Sequence, residues 1–504
     1  PSAERLRGVA ARDDVIAAAR ASRPSRLAVA RVIGPTLARM LARALGRPRR
    51  VRDAYLRGLT EGLAAARARI RGAAPPSARL QAALAEVDDA FRWVMAEGAL
   101  PLIPLMIASG ALVAALTRRY APGVAEDALL RGLDGNITTE MNLALGDLVD
   151  LARPHPELRA AIFGDGDLLA LRGRPALADF FAGLDRFLAA HGSRCAGEID
   201  VGVPRWRDDP RALAPMMAGL LGGEPGVHRA RHHAAQVEAE AARAALIAGA
   251  RRRPIIGWLL GPVVSAMSDR TRVFAAIREH HKAAMIELLA EIRAAVLAVG
   301  GALERAGSLA RADDVFLLDL DEVRAAALAV ESGSPPRDLI GRCDARRQEE
   351  ARYAALTPPP LMTDEGEIPP LPAGIAAPPG TLLGTPASSG AAIGRARVIR
   401  DPGREVLAAG EILVAPFTDP GWTPLFMHAA GLVMEVGGVM THGSVIAREL
   451  GIPAVVAVDG ALARIRDGQR IRVDGDRGWV ELLGDDNSDD DDADGAARAE
   501  GHSG

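Results

Sequence analysis

The proline-rich segment from Thr357 to Gly380 divides the chain into two parts whose residue patterns demand different folds. Before it, apolar residues recur at three- and four-residue spacing, as over 80–95, 229–250 and 272–303. This spacing places apolar side chains on one face of a helix. After it, short apolar runs alternate with glycine-rich turns. The sequence therefore predicts a multidomain chain, with a mostly α-helical N-terminal region followed by a small α/β domain.

These patterns predict four segments. Residues 1–356 form the helical region, 357–380 a stiff linker, 381–484 the α/β domain, and 485–504 an acidic tail. The tail has too few apolar residues to form a core, so we expect it to be disordered. An ordinary surface loop is the alternative interpretation of the linker, and the change of composition across it favours a linker.

The α/β part alternates between the two secondary structures. Strands are predicted at 395–399, 411–415, 432–436, 453–458, 469–473 and 479–483, the last two forming a hairpin. Helices are predicted between them at 420–430 and 443–450.

Composition excludes several classes of protein. Aromatic residues make up only 3% of the chain against 49% hydrophobic residues, so the cores are built from small aliphatic side chains, which favour helices. The net charge of -3 gives no electrostatic case for nucleic acid. Cys195 and Cys343 lie far apart without metal-ligand spacing, so we expect neither a disulfide nor a metal site, and a cytoplasmic location.

Two apolar runs are candidates for helices that cross a membrane. Residues 98–116 carry no charge and are long enough to cross a bilayer, but Pro101 and Pro104 interrupt them. Residues 254–267 are shorter and contain two glycines. Both runs are interpreted as buried helices of a large helical domain, and no membrane partner is expected.

A histidine stands where a helix is predicted to begin. After the strand at 432–436 come Gly437 and Gly438, then Thr441 as a helix N-cap, with the helix opening at Gly443. His442 therefore lies at a helix N-terminus, where unpaired N–H groups and the helix dipole favour an anion. An imidazole at this place can act as a nucleophile toward phosphorus. An unreactive histidine in a capping region is the alternative. The predicted phosphate-binding residues are Gly438, Thr441, Gly443, Ser444 and Arg448.

The run from Gly437 to Val456 resembles the mobile, swivelling domain of the phosphoenolpyruvate-utilising enzymes. The piece from Phe417 to Leu425 narrows the resemblance to rifampicin phosphotransferases and their phosphoenolpyruvate-synthase-like relatives. The resemblance covers roughly Thr381 to Leu483. It implies that the α/β domain is a phosphohistidine domain and that His442 is its transient phosphoryl carrier.

The helical region resembles the same group, in which the helical domain binds the acceptor. The matching stretches are 131–141, 191–200, 204–206, 278–282 and 313–316. The resemblance implies that Arg278 and Lys282 lie near the acceptor hydroxyl and the phosphoryl group. Nothing in the sequence resembles the β/α barrel of true phosphoenolpyruvate synthases.

Lys282 is the only lysine among 61 Lys and Arg residues. Lysine can lose its proton when it is desolvated or lies beside another cation such as Arg278, whereas arginine cannot. Lys282 is therefore interpreted as a base or a phosphate clamp, with a chance surface lysine as the alternative. His280 and His281 are alternative proton shuttles and possible pocket residues. Glu198 either lines the same pocket or only pairs with a neighbouring arginine.

The family charges its histidine with an ATP-grasp domain, and no glycine-rich phosphate cradle precedes the helical region here. ATP and Mg are therefore expected only through an ATP-grasp domain outside this chain, whether removed, carried in trans or lost. The predicted function is the acceptor-binding and carrier portion of a dikinase-type phosphotransferase acting on a small, apolar hydroxyl compound. The alternatives are a catalytically incomplete ligand-binding protein, half of a split phosphoenolpyruvate-synthase-like system, and a membrane-associated protein.

Overall fold

The computed structural model describes residues 46–164, 167–354 and 380–483, with a few isolated positions at 38–43 and 356–367. Most of the predicted linker 357–380 and the whole predicted tail 485–504 lie outside the described residues. Contacts group the described residues into two compact units. The first takes its described residues from Pro1–Met141, Arg186–Pro210 and Ala239–Ala373, and the second from Asn142–Asp185, Arg211–Glu238 and Gly374–Gly504.

The described part of the predicted helical region consists of α-helices joined by loops and short 3₁₀ turns, without a β-strand among its described residues. Its helices are α1 Pro48–Gly72, α2 Pro76–Trp93, α3 Leu100–Tyr120, α4 Ile137–Ala152, α5 Pro156–Ile162, α6 Ala178–His191, α7 Ala214–Leu221, α8 Val227–Arg251, α9 Gly257–Arg305, α10 Leu320–Glu331 and α11 Leu339–Ala354. A π-helical turn, Val94–Ala99, joins α2 to α3.

The first unit is organised around α9, which has 49 residues and is therefore about 74 Å long. α1, α2, α3 and α10 pack along it. The core between them consists of aliphatic side chains, as the scarcity of aromatic residues predicts. Its members include Ile70, Leu80, Leu288, Val299 and Leu303.

The two apolar runs are less buried than the sequence predicted. Met106, Val113 and Thr117 form a buried stripe on α3, but Ile107 and Leu112 on its other side are exposed. One described helical stretch, Pro76–Tyr120, is long and apolar enough by composition to cross a membrane, and 28% of its most apolar window is buried. In the second run, Trp258 is 77% exposed. Each run contacts the unit along one face only, so both helices are buried on one side and exposed on the other, where the sequence predicted buried helices.

The second unit contains an eight-stranded sheet with the order β1-β8-β7-β3-β4-β5-β6-β2. The strands are β1 Thr381–Leu383, β2 Thr385–Ser388, β3 Ala391–Val398, β4 Ile412–Ala415, β5 Gly431–Met434, β6 Ala454–Val456, β7 Arg470–Asp474 and β8 Trp479–Leu482. The helices of this part are α12 Thr423–Phe426, α13 His442–Leu450 and α14 Ala461–Arg464. β3 to β6 are parallel, and the outer strands pair antiparallel.

The six predicted strands and the hairpin are present. The central strands β4, β5 and β6 are buried at every residue, which is why they read as continuous apolar runs. β1, β2 and α14 were not predicted, because short edge elements lack a clear pattern. The helix predicted over 420–430 is only a 3₁₀ turn followed by the one-turn α12, because Pro420 and Pro424 suit the start of a helix and not its interior.

Candidate functional site

His442 lies at the carboxyl edge of the parallel strands, where ligand sites of such sheets form. β5 ends at Met434, and the loop that follows leads into α13, which begins at His442. α13 ends at Gly451, which adopts a left-handed conformation (φ 70°), so the chain turns sharply toward β6. The fold thus fixes both ends of the helix that carries the histidine.

The hydroxyl groups next to His442 brace the loop. Thr441 is the N-cap of α13, as predicted, but its hydroxyl donates to the Gly438 carbonyl at 2.8 Å and makes no side-chain cap. The hydroxyl of the fully buried Ser444 donates to the same carbonyl, also at 2.8 Å. Because Thr441 does not cap the helix with its side chain, the first backbone N–H groups of α13 remain oriented for an anion.

Gly438 and Gly443 serve different purposes. A Cβ atom at Gly438 would meet nothing within 4 Å, so bare backbone borders open space beside the histidine. A Cβ atom at Gly443 would lie 2.9 Å from the Met434 sulfur and closer still to the Thr418 hydroxyl. Neither glycine has a positive φ. Gly443 is therefore required by packing, whereas Gly438 borders open space.

A threonine from the neighbouring strand connection holds the imidazole of His442. Nε2 of the half-buried His442 lies 2.9 Å from the hydroxyl of Thr423, which is fully buried at the start of α12. That hydroxyl donates its single proton to the Pro420 carbonyl at 2.9 Å. It therefore accepts from Nε2–H, which leaves the lone pair of a neutral imidazole on Nδ1. Thr423 was part of the sequence motif without an assigned role, because only the adjacency of β4 and β5 brings it to His442.

Arg448 also contacts the loop backbone. Its guanidinium donates to the Ser444 carbonyl at 3.1 Å and to the Val439 carbonyl. These bonds tie the first turns of α13 to the loop. These hydrogen bonds show that Arg448 stabilises the loop. Its role as a phosphate ligand stays a prediction.

In the first unit, Lys282 and Glu198 come together. The Lys282 ammonium lies 3.3 Å from Oε1 of Glu198, which is fully buried. Glu198 also accepts from the buried Arg194, at 3.1 Å to each carboxylate oxygen. Glu198 therefore forms ion pairs with both Arg194 and Lys282, and its place in an acceptor pocket stays a prediction.

Arg278, one turn before Lys282 on α9, has its own carboxylate partner. Its guanidinium donates to Oε1 of the buried Glu279 at 2.6 Å. The sequence did not single out Glu279, because its role depends on the rotation of α9. Arg278 and Lys282 thus each pair with a buried carboxylate.

His280 and His281 are neutral near pH 7. Burial lowers the pKa of His280 to about 4, with His281 as a second cause. Burial also lowers the pKa of His281. His281 lines a small cavity of about 10 Å³ together with Arg278 and Tyr55, which is room for about one water molecule. A neutral imidazole at this place can accept a proton.

The family model "Rifampicin phosphotransferase fourth domain" matches residues 99–279, and the model "PEP-utilising enzyme, mobile domain" matches residues 407–478. The chain carries these two domains. The mobile domain contains both Thr423 and His442, and the fourth domain contains Glu198 and Arg278, with Lys282 three residues beyond its end.

Curated relatives span the same two domains. The chain is 40% identical to a rifampicin phosphotransferase of Streptomyces sviceus and 36% identical to one of Bacillus subtilis, over 71% of this chain and 41% of each relative. It is 31% identical to a chondramide synthase of Chondromyces crocatus, over 71% of this chain and 10% of that protein. The chain thus spans less than half the length of these relatives. A solution NMR structure of a UPF0107 protein aligns with 21% of the chain at 20% identity and a TM-score of 0.18.

Proposed function

We propose that this chain is the acceptor-binding and phosphohistidine-carrier portion of a dikinase-type phosphotransferase. His442 receives a phosphoryl group that originates from ATP, bound with Mg by an ATP-grasp domain on the same or another polypeptide. It then passes the group to the hydroxyl of a small apolar acceptor, of which rifampicin, named in the relatives, is one example. The observation that carries the proposal is the imidazole of His442, which stands at a helix N-terminus beside bare backbone.

The carrier step forms an N–P bond. A lone pair on the imidazole of His442 attacks phosphorus while the bond from phosphorus to the leaving oxygen breaks. The backbone N–H groups at the start of α13 and the open space at Gly438 support the added phosphate. If Nε2 is the attacking nitrogen, its bond to Thr423 must break first.

The acceptor step reverses this chemistry on a different oxygen. The acceptor hydroxyl attacks phosphorus, the N–P bond breaks, and the hydroxyl proton passes to a base. Lys282 is paired with a carboxylate, which supports a charged ammonium that clamps the phosphate. The neutral His281 beside Arg278 is then the better candidate for the base. Transfer of this kind depends mostly on positioning and charge stabilisation.

The proposal is tested by charging the protein without an ATP-binding domain. Potassium phosphoramidate, a small phosphoryl donor, should place an acid-labile, alkali-stable phosphate on His442. Peptide mapping should find this phosphate in wild type and not in His442→Ala. Adding rifampicin or another hydroxylated apolar compound should then discharge it. Equal labelling of wild type and His442→Ala would contradict the carrier role.

A further inference from the structure

Arg205 carries a buried guanidinium that has no carboxylate partner among the described residues. It is 1% exposed, and neither its Nε nor its Nη2 has a hydrogen-bond partner in the part of the chain that the structure describes. The carboxylate of Asp208 accepts from the backbone N–H of Arg205 at 3.0 Å, but it forms its ion pair with Arg293, at 2.9 Å. An arginine side chain stays protonated inside a protein. A buried charge is costly unless it is paired, so this guanidinium requires an anion.

The side chain that the guanidinium contacts is Cys195. Nη1 of Arg205 donates to Sγ of Cys195 at 2.9 Å. Because sulfur is larger than oxygen, a distance that is usual for N–H···O is short for N–H···S. Short hydrogen bonds are typical of pairs in which donor and acceptor are ionised. A thiolate at Cys195 would supply the anion that the guanidinium lacks.

The backbone holds these two side chains near each other. The segment between α6 and α7 folds back on itself, and the N–H of Trp206 donates to the carbonyl of Arg194 at 2.9 Å. These two residues are the direct neighbours of Arg205 and Cys195 in the sequence. Trp206 is buried and packs on Phe187 of α6, with ring centroids 6.0 Å apart. The pair therefore forms on a backbone that is already ordered, so little further entropy is lost.

Cys343 provides a comparison within the same chain. It is 2% exposed against 4% for Cys195, so the two cysteines are equally buried. Sγ of Cys343 donates to the carbonyl of Asp314 at 3.5 Å, as a neutral thiol does. Burial raises the pKa of the Cys343 thiol, and the charge of Asp314 is a second cause. The two cysteines thus share their burial and differ in the charge beside the sulfur.

The turns around Cys195 lie at the surface of the first unit. Ile199, four residues further on, is 70% exposed, and Gly197 adopts a left-handed conformation with φ 72°. An irregular segment opens locally more readily than a helix such as α11, which carries Cys343. A reagent as small as hydrogen peroxide needs only such a local opening to reach Cys195.

We propose that Cys195 is a thiolate stabilised by Arg205 and is a site at which this protein reacts with peroxides. The thiolate sulfur attacks one oxygen of hydrogen peroxide, the O–O bond breaks, and the departing hydroxide takes the proton of the transferred oxygen to form water. The sulfur loses two electrons and becomes a sulfenate, and the peroxide gains them. The sulfenate keeps a negative charge beside Arg205. Neither His442 nor Lys282 takes part, so this reaction is independent of the proposed function.

Trapping of the sulfenate on the full chain tests the proposal. The protein is treated with hydrogen peroxide at pH 7 and then with dimedone, and the labelled cysteine is identified by peptide mass spectrometry. Labelling of Cys195 should exceed labelling of Cys343 at least tenfold, because an ordinary thiol is only a few per cent ionised at this pH. Dithiothreitol added before dimedone should prevent labelling, because a sulfenate is reducible. Cys195→Ser should lose the label, and Cys343→Ser should keep it.

A variant without the guanidinium separates charge from burial. Arg205→Met keeps an apolar side chain and removes the charge, so labelling of Cys195 should fall at least tenfold. Arg207→Met is the matched control, because it removes an exposed arginine of the same segment, and it should label like wild type.

The ultraviolet absorbance of the thiolate decides the outcome if Arg205→Met does not fold. At pH 7, wild type should absorb more than Cys195→Ser and the same as Cys343→Ser. Equal labelling of the two cysteines, no label on either, or undiminished labelling in folded Arg205→Met would overturn the proposal. Equal absorbance of wild type and Cys195→Ser would overturn it as well.

Discussion

The imidazole of His442 contacts a neutral hydroxyl, whereas the Lys282 ammonium pairs with a buried carboxylate. Around His442 the structure provides hydroxyl groups, backbone N–H groups and a bare glycine. Around Lys282 it provides Glu198 and Arg194, both buried. If His442 carries a phosphoryl group, as we propose, it must take the group up and release it again, and a neutral hydroxyl partner suits that role. Fixed charges suit a site where transfer ends, because they stabilise the charge of the transferred group.

The buried charges of the helical unit should be the more costly to disturb. Glu198→Leu leaves Arg194 buried without this carboxylate, so it should lower the free energy of unfolding by about 3–5 kcal/mol. Denaturant unfolding measures this loss. The double variant Glu198→Leu/Arg194→Met removes both charges and should recover most of it. A single variant as stable as wild type would show that this ion pair does not anchor Lys282.

At His442, we expect the rate of charging to depend on the packing of the loop between β5 and α13. Gly443→Ala forces a methyl group against Met434 and Thr418, so it should slow charging of His442 by phosphoramidate on the order of 100-fold. Gly438→Ala is the control for folding, because its methyl group meets open space, and it should keep the wild-type Tm. Charging of Gly443→Ala at the wild-type rate would mean that the loop tolerates displacement.

The two sites should also separate kinetically. Lys282→Ala should leave charging of His442 unchanged and slow discharge to the acceptor by roughly 100-fold, as for other positioned catalytic groups. Lys282→Arg should restore much of the rate if the ammonium clamps phosphate, and little if it transfers a proton. Rapid-quench measurement of discharge decides between these roles. Equal discharge by wild type and Lys282→Ala would remove Lys282 from the site.

The second unit contains a buried histidine, His428, that should make the stability of this unit depend on pH. Burial lowers the pKa of His428 to about 4, and its ring packs against Gly219 of α7 in the same unit. The unfolded chain takes up this proton near pH 6.5 and the folded chain only near 4. Stability is therefore complete above pH 6.5 and is lost as pH falls toward 4, by about 2 kcal/mol at pH 5. Unfolding of His428→Leu should show this much less change between pH 7 and 5, and an unchanged slope would contradict the assignment.

The smallest effect is expected at Thr423. Thr423→Val removes the hydroxyl that accepts from Nε2 of His442, a loss worth about 1 kcal/mol, or roughly fivefold in rate. If Nε2 is the nucleophile, charging should become faster, because no bond has to break first. If Nδ1 attacks, charging should become slower, because the ring loses its orientation. NMR of the labelled imidazole identifies the phosphorylated nitrogen and so checks the sign.

The sequence by itself determined the change of fold at the proline-rich segment, the six strands of the α/β domain and the place of His442 at a helix start. Each of these depends on local spacing, because apolar periodicity, glycines and an N-cap act over a few residues. Because these signals are local, the sequence did not show that the runs 98–116 and 254–267 are buried on one face only. The sequence shows that a run is apolar. How many faces of the resulting helix pack against other helices depends on residues far away in the sequence.

Only the tertiary structure decided which groups hold the reactive side chains. Thr423 reaches His442 because β4 and β5 are parallel neighbours, and Glu198 reaches Lys282 because a distant segment packs against α9. Hydrogen bonds and ion pairs act over about 3 Å, so residues far apart in sequence interact only after the core has brought their backbones together.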